Sequence, residues 1–240
     1  MISTKLLLTK AMLKNKNNFL AIIPARKGSK RIKNKNKILF KGKKLVEHSI
    51  NAAIKSKLID NVVISSDDKD ILSLTSKYKD ALFLKRKKSL CTDKAKTTDV
   101  VYDLVMNNAE LKSKYIVLLQ PTSPLRTVSH IDKAIKMILR NEKKYDSVIS
   151  VNRIEEPHPY KIKKIVNGKL VSFIKGKSSE VPRQELPGAY LLNGAIYIIK
   201  TKVFMKKKSF FSKTLPYIMN EKYSLNLDTP LDLKYLSMLA

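Results

Sequence analysis

The sequence predicts an α/β protein whose mostly parallel sheet is covered by helices on both faces. Over the first 150 residues, short apolar runs typical of buried strands alternate with segments whose apolar residues recur at helical spacing. Repeated strand–helix units of this kind favour a parallel sheet. From about Asn152 onward, prolines and an Asn-Gly turn replace the helical spacing. We therefore expect one α/β domain interrupted by a small, mostly extended insertion.

Continuous apolar runs predict the strands of the first part of the chain, at residues 19–23, 61–65, 81–84, 115–119 and 146–151. Apolar residues at helical spacing predict helices at residues 45–58, 68–79, 97–111 and 129–140. Each of these helices lies between two predicted strands, as the crossover connections of a parallel sheet require.

The last third of the chain has a different pattern. An Asn167-Gly168 turn between two short apolar runs predicts a hairpin, strands are predicted at residues 193–199 and 224–227, and Thr229-Pro230 opens a final helix. The predicted organisation is an N-terminal extension at residues 1–18 and a domain at residues 19–240, within which residues 152–190 form the insertion.

The composition of the chain limits its class. With 240 residues, 43% of them hydrophobic, it can bury one sizeable core. No apolar run is long enough to span a bilayer, and the N-terminus lacks the features of a signal peptide, so no membrane partner is expected. The single cysteine, Cys91, excludes an internal disulfide. A cytoplasmic protein fits these features.

The net charge of +29 raises the alternative of a basic nucleic-acid-binding module. Only seven of the 49 cationic residues are Arg, however, and the lysines are spread through every helix and loop. Such a uniformly basic surface needs no partner, and neither clustered aromatic residues nor a recognition-helix motif is present. We therefore expect no nucleic-acid partner.

The loop after the first strand carries the strongest local signal for phosphate binding. Gly28 allows the backbone to approach an anion, and Arg26, Lys30 and Lys35 supply charge. The loop matches neither GxxxxGK[ST] nor GxGxxG. The alternative is a solvated, lysine-rich turn.

Polar residues also follow later strands. The turn QPTSPLR holds Gln120, Thr122, Ser123 and Arg126 at a strand's carboxyl end, either as part of a site or as an ordinary rigid turn with Arg126 in solvent. Thr97 is either a binding residue or a helix cap.

Asn226 and Asp228 alternate along the chain and are predicted to share one face. Asp228 suits Mg²⁺, a hard cation that accepts one or two carboxylates. The alternative is that Asp228 or Thr229 caps the last helix.

Five ordered segments, IIPARKGSKRIKNKN, VVISSDD, LLQPTSPLRT, PRQELPGAYLLNGAIYI and SLNLDTPLDL, resemble those of the acylneuraminate cytidylyltransferases, also called CMP-sialic acid synthetases. The resemblance implies a Rossmann-like nucleotide-diphospho-sugar transferase fold. It also implies transfer of CMP from CTP to a nonulosonic acid, with release of pyrophosphate and use of Mg²⁺ or Mn²⁺. The partners implied are CTP, an acid sugar and a second copy of the chain, paired through the insertion.

The resemblance also assigns roles to residues of this sequence. It implies catalytic roles for Arg26, Lys30, Lys35 and Asp228. It implies CTP binding by Ala25, Gly28, Ser29, Asn36, Arg86 and Thr97. It implies sugar binding by Gln120, Lys161, Arg183, Asn193 and Tyr197. Asp228, and with it Asn226, would hold the metal.

Three departures from the family pattern leave alternatives open. Asn226 stands where an aspartate is usual, the segment Asp93-Lys94-Ala95 replaces DTA, and Leu191 and Leu192 replace more polar residues. The alternative hypotheses for the function are a cytidylyltransferase for 3-deoxy-manno-octulosonate, legionaminate or pseudaminate, and a homologue with reduced catalytic activity.

Overall fold

A seven-stranded sheet forms the centre of the protein. The computed structural model describes residues 18–29, 31–176 and 179–239, so the predicted extension lies almost wholly outside the described residues. The strands within this part are β1 (Phe19–Pro24), β2 (Leu39–Phe40), β3 (Lys43–Lys44), β4 (Asn61–Ser66), β5 (Leu82–Lys85), β6 (Tyr115–Leu118), β7 (Ser147–Ile154), β8 (Lys163–Val166), β9 (Lys169–Ser172), β10 (Ala189–Lys200) and β11 (Thr214–Ile218). The helices are α1 (Leu45–Lys55), α2 (Lys69–Leu72), α3 (Thr97–Asn107), α4 (Val128–Arg140), α5 (Thr201–Lys207) and α6 (Pro230–Ser237).

The order of the central sheet is β11-β7-β10-β6-β1-β4-β5. All neighbouring strands are parallel except β10, which runs antiparallel to both β6 and β7. The carboxyl ends of β6, β1, β4 and β5 therefore meet at one edge, as the predicted parallel sheet requires.

Alternate residues of β1 explain how the sheet is covered on both faces. Phe19, Ala21 and Ile23 belong to the core that includes α1 and α4, while Leu20 and Ile22 belong to the core that includes α3 and α5. A strand buried on both faces needs apolar residues at every position, which is why this run is continuous.

The predicted strands of the first 150 residues are confirmed with small shifts at their ends. Three helices are shorter than predicted: α1 ends at Lys55, α2 gives way to a 3₁₀ turn at Ser73–Ser76, and α3 is followed by another at Ala109–Leu111. The hairpin of β8 and β9 around Asn167-Gly168 is confirmed, and residues 155–188 connect β7 to β10 outside the central sheet.

The strand predicted at residues 224–227 is wrong. This segment has no strand pairing, because the Leu227 side chain is drawn into a small core with Phe40, Leu45 and Leu236. The prediction also missed β11, since this edge strand contains Pro216 and buries few of its residues. Among the described residues no helix could cross a membrane.

Arg126 links three elements beneath the carboxyl edge of the sheet. Its side chain is almost fully buried, with Nη1 donating to the carbonyl oxygens of Gln120 at 3.2 Å and Ala195 at 2.8 Å. Nη2 donates to Ser49 Oγ at 2.6 Å. Burial lowers the pKa of Arg126 to about 9, so the guanidinium remains protonated at neutral pH. Its role is therefore structural, and the rigid-turn alternative for QPTSPLR was wrong in placing the Arg126 side chain in solvent.

Substitution of Arg126 by Met should lower the free energy of unfolding by about 3 kcal/mol, roughly 1 kcal/mol for each lost hydrogen bond. Urea unfolding measures this change. The control is Arg140→Met at the exposed end of α4, expected within about 0.5 kcal/mol of the parent. Equal free energies of unfolding for the two variants would show that the buried guanidinium does not stabilise the fold.

Candidate active site

A cleft of about 580 Å³ lies at the sheet edge where β6, β1, β4 and β5 end. Ligands of open α/β sheets bind at this edge. The polar and charged residues that line it are Arg26, Ser29, Arg31, Lys35, Asn36, Arg86, Asp93, Thr97, Gln120, Thr122, Asn226 and Asp228. Four cations and two carboxylates among them give the lining a positive balance, which suits an anionic ligand.

The loop after β1 is shaped by hydrogen bonds from its own side chains. Arg26 donates through Nη1 to the carbonyl of Gly28 at 2.8 Å and through Nη2 to Asp93 Oδ1 at 2.7 Å. Asn36 Nδ2 donates to the carbonyl of Arg26 at 2.9 Å. Gly28 has a φ of +76°, a conformation that favours glycine. These bonds hold the Arg26 side chain in place, while Lys27 and Gly28 are exposed to solvent.

Lys35 joins this loop to the C-terminal segment. Its Nζ donates to the carbonyl of Leu227 at 2.7 Å and to Asp228 Oδ1 at 2.9 Å. The backbone N–H of Leu227 in turn donates to the carbonyl of Thr122, in the turn after β6. Three separate parts of the chain thus meet at one wall of the cleft.

The Asp228 carboxylate is held from two sides and still faces the cleft. Its Oδ2 accepts from Asn226 Nδ2 at 2.8 Å, and its side chain is 48% exposed. Thr229 is the N-cap of α6, with Asp232 completing the capping box. Because Thr229 performs the capping, Asp228 remains available to a ligand.

The opposite end of the cleft is formed near β5 and α3. Arg86 is buried, and it donates to Ser65 through Nε to Oγ at 3.2 Å and through Nη2 to the carbonyl at 2.8 Å. Burial lowers the pKa of this guanidinium. Thr97 is the first residue of α3 and Lys96 occupies the cap position, so the capping alternative for Thr97 is wrong.

Residues 20–224 match the family model described as cytidylyltransferase. The chain belongs to the cytidylyltransferase family. The chain is 34% identical over 218 residues to an N-acylneuraminate cytidylyltransferase of Escherichia coli O18:K1:H7, an alignment that covers 90% of this chain and 51% of that protein. The chain thus spans about half the length of that relative. The predicted family resemblance is confirmed.

Two further relatives are matched along most of their length. A CMP-N,N'-diacetyllegionaminic acid synthase of Legionella pneumophila is 35% identical over 217 residues, covering 89% of this chain and 92% of that protein. A pseudaminic acid cytidylyltransferase of Campylobacter jejuni is 30% identical over 223 residues, covering 92% and 95%.

Solved structures confirm the predicted Rossmann-like fold. The structure of CMP:2-keto-3-deoxy-manno-octonic acid synthetase complexed with CTP superposes with a TM-score of 0.68 at 16% identity, covering 92% of this chain and 98% of that one. A 4-diphosphocytidyl-2C-methyl-D-erythritol synthase from Anaerococcus prevotii gives 0.64 at 14% identity, covering 95% and 98%. At these identities the likeness concerns the fold alone.

The structure of this cytidylyltransferase brings most of the predicted site residues together. Those that line the cleft are Arg26, Ser29, Lys35, Asn36, Arg86, Thr97, Gln120, Asn226 and Asp228. Ala25, which is buried, and Gly28, which is exposed, lie in the same loop but do not line the cleft, and Lys30 lies outside the described residues. Arg31 and Asp93 line the cleft without having been predicted, and Thr122, a candidate of the QPTSPLR turn, lines it as well. An arginine in a lysine-dominated loop was the available signal for Arg31.

Four predicted sugar-binding residues lie away from this cleft. Asn193 is buried, where its Oδ1 accepts from Ser150 Oγ and from the N–H of Ala195. Tyr197 packs against the α3 and α5 side of the sheet, with its ring 5.6 Å from that of Phe210. These contacts explain both residues structurally, and their contact with a sugar stays a prediction.

Lys161 and Arg183 both lie in the connection between β7 and β10. Lys161 pairs with Glu156 at 2.5 Å, and Arg183 pairs with Glu155 beside a small cavity of about 80 Å³. Neither residue lines the main cleft within this chain.

Two oxygen donors in the cleft could hold a metal. Members of this family commonly use a divalent metal. Asn226 Oδ1 is buried against the backbone at Gly194 and has no hydrogen-bond partner in the described part of the chain, whereas Nδ2 of the same amide contacts Asp228 Oδ2. Rotation of this amide by 180° would turn Oδ1 towards a cation held beside Asp228. One carboxylate and one amide oxygen fit a hard cation that completes its shell with phosphate oxygens and water.

Proposed function

We propose that the protein transfers CMP from CTP to the anomeric hydroxyl of a nonulosonic acid and releases pyrophosphate. The observation that carries this proposal is the convergence of Arg26, Lys35 and Asp228 on one cleft of a cytidylyltransferase-family chain. The nucleic-acid alternative is not favoured, because the family match covers most of the chain.

In the proposed reaction, the sugar oxygen bonds to the α-phosphorus of CTP as the bond from that phosphorus to the bridging oxygen breaks. The hydroxyl proton is released, and pyrophosphate leaves with most of the developing charge. Such displacements depend mainly on positioning and on charge neutralisation. Arg26 and Lys35 are the cations placed to stabilise the leaving group, and Lys30 is assigned the same role from the sequence alone.

The cytidine is proposed to lie at the Arg86 end of the cleft. Two hydrogen bonds from Arg86 to Ser65 hold its guanidinium in place, so Arg86 loses little side-chain freedom when a ligand binds. Asn36 and Thr97 offer further polar groups beside it.

The metal is proposed to be Mg²⁺ or Mn²⁺, held by the Asp228 carboxylate and Asn226 Oδ1. When bound, the ion would neutralise charge on the phosphate oxygens. Lys35 Nζ donates to Asp228 Oδ1, and this contact supports the proposal that the lysine binds the phosphates next to the metal. Asn226 contributes one negative charge fewer than an aspartate would, without removing the oxygen ligand.

The acid sugar is proposed to bind at the Gln120 end, next to Asp228. The names of the relatives point to sialic, legionaminic and pseudaminic acids as the compounds to test. Lys161 and Arg183 are proposed to reach the sugar carboxylate from the other subunit of a homodimer, since neither lines the cleft of its own chain.

The homodimer is proposed to form through the insertion and the adjoining end of β10. Apolar side chains are exposed there together: Ile162, Ile165, Leu170, Phe173, Tyr190, Leu191 and Leu192. Clustered exposure of this kind is unusual on a monomer and marks interaction surfaces.

Pyrophosphate release should be detected with CTP, Mg²⁺ and at least one of the three acid sugars. Lys35→Ala should lower kcat/KM by about 100-fold, the scale of losing one transition-state charge donor. Lys33→Ala is the matched control, because Lys33 is an exposed lysine of the same loop outside the cleft lining. Near-parental turnover by Lys35→Ala would refute the triphosphate assignment.

Asp228→Ala should abolish activity and weaken Mn²⁺ binding in the presence of CTP by about tenfold or more, because it removes the carboxylate ligand. Electron paramagnetic resonance of free Mn²⁺ measures this binding without turnover. Asp80→Ala, at an exposed carboxylate outside the cleft lining, should bind the ion like the parent. An unchanged Mn²⁺ titration for Asp228→Ala contradicts the metal assignment.

Leu191→Asp should convert the protein from dimer to monomer, because the interface would have to bury an unpaired carboxylate. Light scattering after size-exclusion chromatography measures the mass. Leu139→Asp, at an exposed leucine of α4, should leave the dimer intact. A monomeric parent protein would overturn the proposal, as would a Leu191→Asp variant that remains dimeric.

A further inference from the structure

Gly194 occupies a kink in β10, directly behind the cleft. Its φ is +72°, and the pairing of β10 with β7 shifts register between Leu192 and Tyr197. A glycine within a strand often marks a bulge or a close approach of another group to the backbone. The kink is therefore a built feature of this strand.

The backbone on both sides of Gly194 is fixed by buried side chains. Asn193 Oδ1 accepts from the N–H of Ala195, and Arg126 donates to the carbonyl of Ala195. Ser150 Oγ accepts from the N–H of Ile196 at 2.8 Å. These bonds leave the kink little freedom to relax if a side chain were added at position 194.

Because Gly194 has no side chain, two residues of the cleft can lie close to its backbone. A Cβ at position 194 would lie 2.9 Å from Gln120 Oε1 and 3.4 Å from both Cγ and Oδ1 of Asn226. Real Cβ atoms do not approach an oxygen as closely as 2.9 Å, so one group must move. Because the amide is the far end of a flexible side chain, Gln120 is the group that would move, and the cleft is the open space beside it.

The strand order separates this region from the proposed nucleotide end. Gln120 follows β6, whereas Arg86 follows β5, and β1 and β4 lie between these two strands. Three strand spacings amount to about 14 Å. A displaced Gln120 would therefore affect the acceptor end of the cleft and spare the cytidine end.

We infer that Gly194 is a positioning residue for the acceptor, because its missing Cβ lets the Gln120 amide lie against the kink in β10. The acceptor class is an acid sugar, so the inference rests on the proposed function. The inference adds a backbone position, Gly194, that determines where the Gln120 amide lies in the cleft.

Gly194→Ala should raise the KM for the acid sugar by about tenfold, the effect of misplacing one substrate contact, with the Kd for CTP unchanged. Calorimetry measures CTP binding without sugar, and pyrophosphate release measures the sugar KM. Gly42→Ala is the matched control, because Gly42 has a φ of +71°, nothing within 4 Å of its Cβ position, and lies outside both the cleft lining and the insertion. Both variants carry backbone strain from a positive φ, and only Gly194→Ala adds a close contact, so its melting temperature should fall at least as far as that of the control.

Gln120→Ala provides a test of coupling. With the Gln120 amide removed, adding Gly194→Ala should raise the sugar KM no further. Independent, multiplying effects of the two substitutions would overturn the inference, as would a Gly194→Ala variant with the sugar KM of Gly42→Ala or with an equal loss of CTP binding. The inference is also overturned if Gly194→Ala fails to fold and the additional substitution Gln120→Ala does not restore folding. A parent protein that releases no pyrophosphate with any acid sugar instead refutes the proposed function, and the inference with it.

Discussion

The architecture around the cleft depends on the buried guanidinium of Arg126. A buried cation is costly unless its donors are satisfied, and here Nη1 and Nη2 donate chiefly to main-chain carbonyls, whereas Nε is buried without a partner among the described residues. Those carbonyls belong to the turn after β6 and to the kink in β10, while Ser49 adds α1. One side chain thus fixes the relative positions of a parallel strand, its antiparallel neighbour and a covering helix. The Gln120 side chain and Gly194 depend on that arrangement.

Charge pairing organises the phosphate side of the cleft in a complementary way. Arg26 is paired with Asp93, and Lys35 with Asp228, so each predicted phosphate ligand of the described chain is already oriented by a carboxylate. Both pairs are partly exposed and therefore contribute little to stability. Their value lies in position, because a cation that is held in place loses less freedom when phosphate binds.

The sequence was sufficient to predict the fold where local pattern and tertiary burial agree. Continuous apolar runs such as β1 are buried on both faces, so the pattern reports the environment directly. It failed at residues 224–227, where alternation reflects packing of Leu227 into a side core, and at β11, where an edge strand buries little. Both outcomes depend on tertiary packing, so the pattern of neighbouring residues in the sequence could not predict them.

The same distinction applies to the site. Residues directly after parallel strands, such as Arg26 and Gln120, could be placed in one cleft because strand ends meet at one edge. Asn193 could not be placed, because its burial depends on the kink in β10 and on Ser150 across the sheet. The contact of Gly194 with Gln120 depends on a positive φ that no sequence pattern specifies.

We propose that CTP binds in one cleft, with the cytosine near Arg86 and the triphosphate between Arg26 and Asp228. A crystal structure of the protein with CTP and Mg²⁺ tests it most directly. We expect phosphate oxygens within hydrogen-bonding distance of Arg26 and Lys35, and the cytosine beside Arg86 and Thr97. CTP bound outside this cleft, or bound with its base at Gln120, would contradict the account.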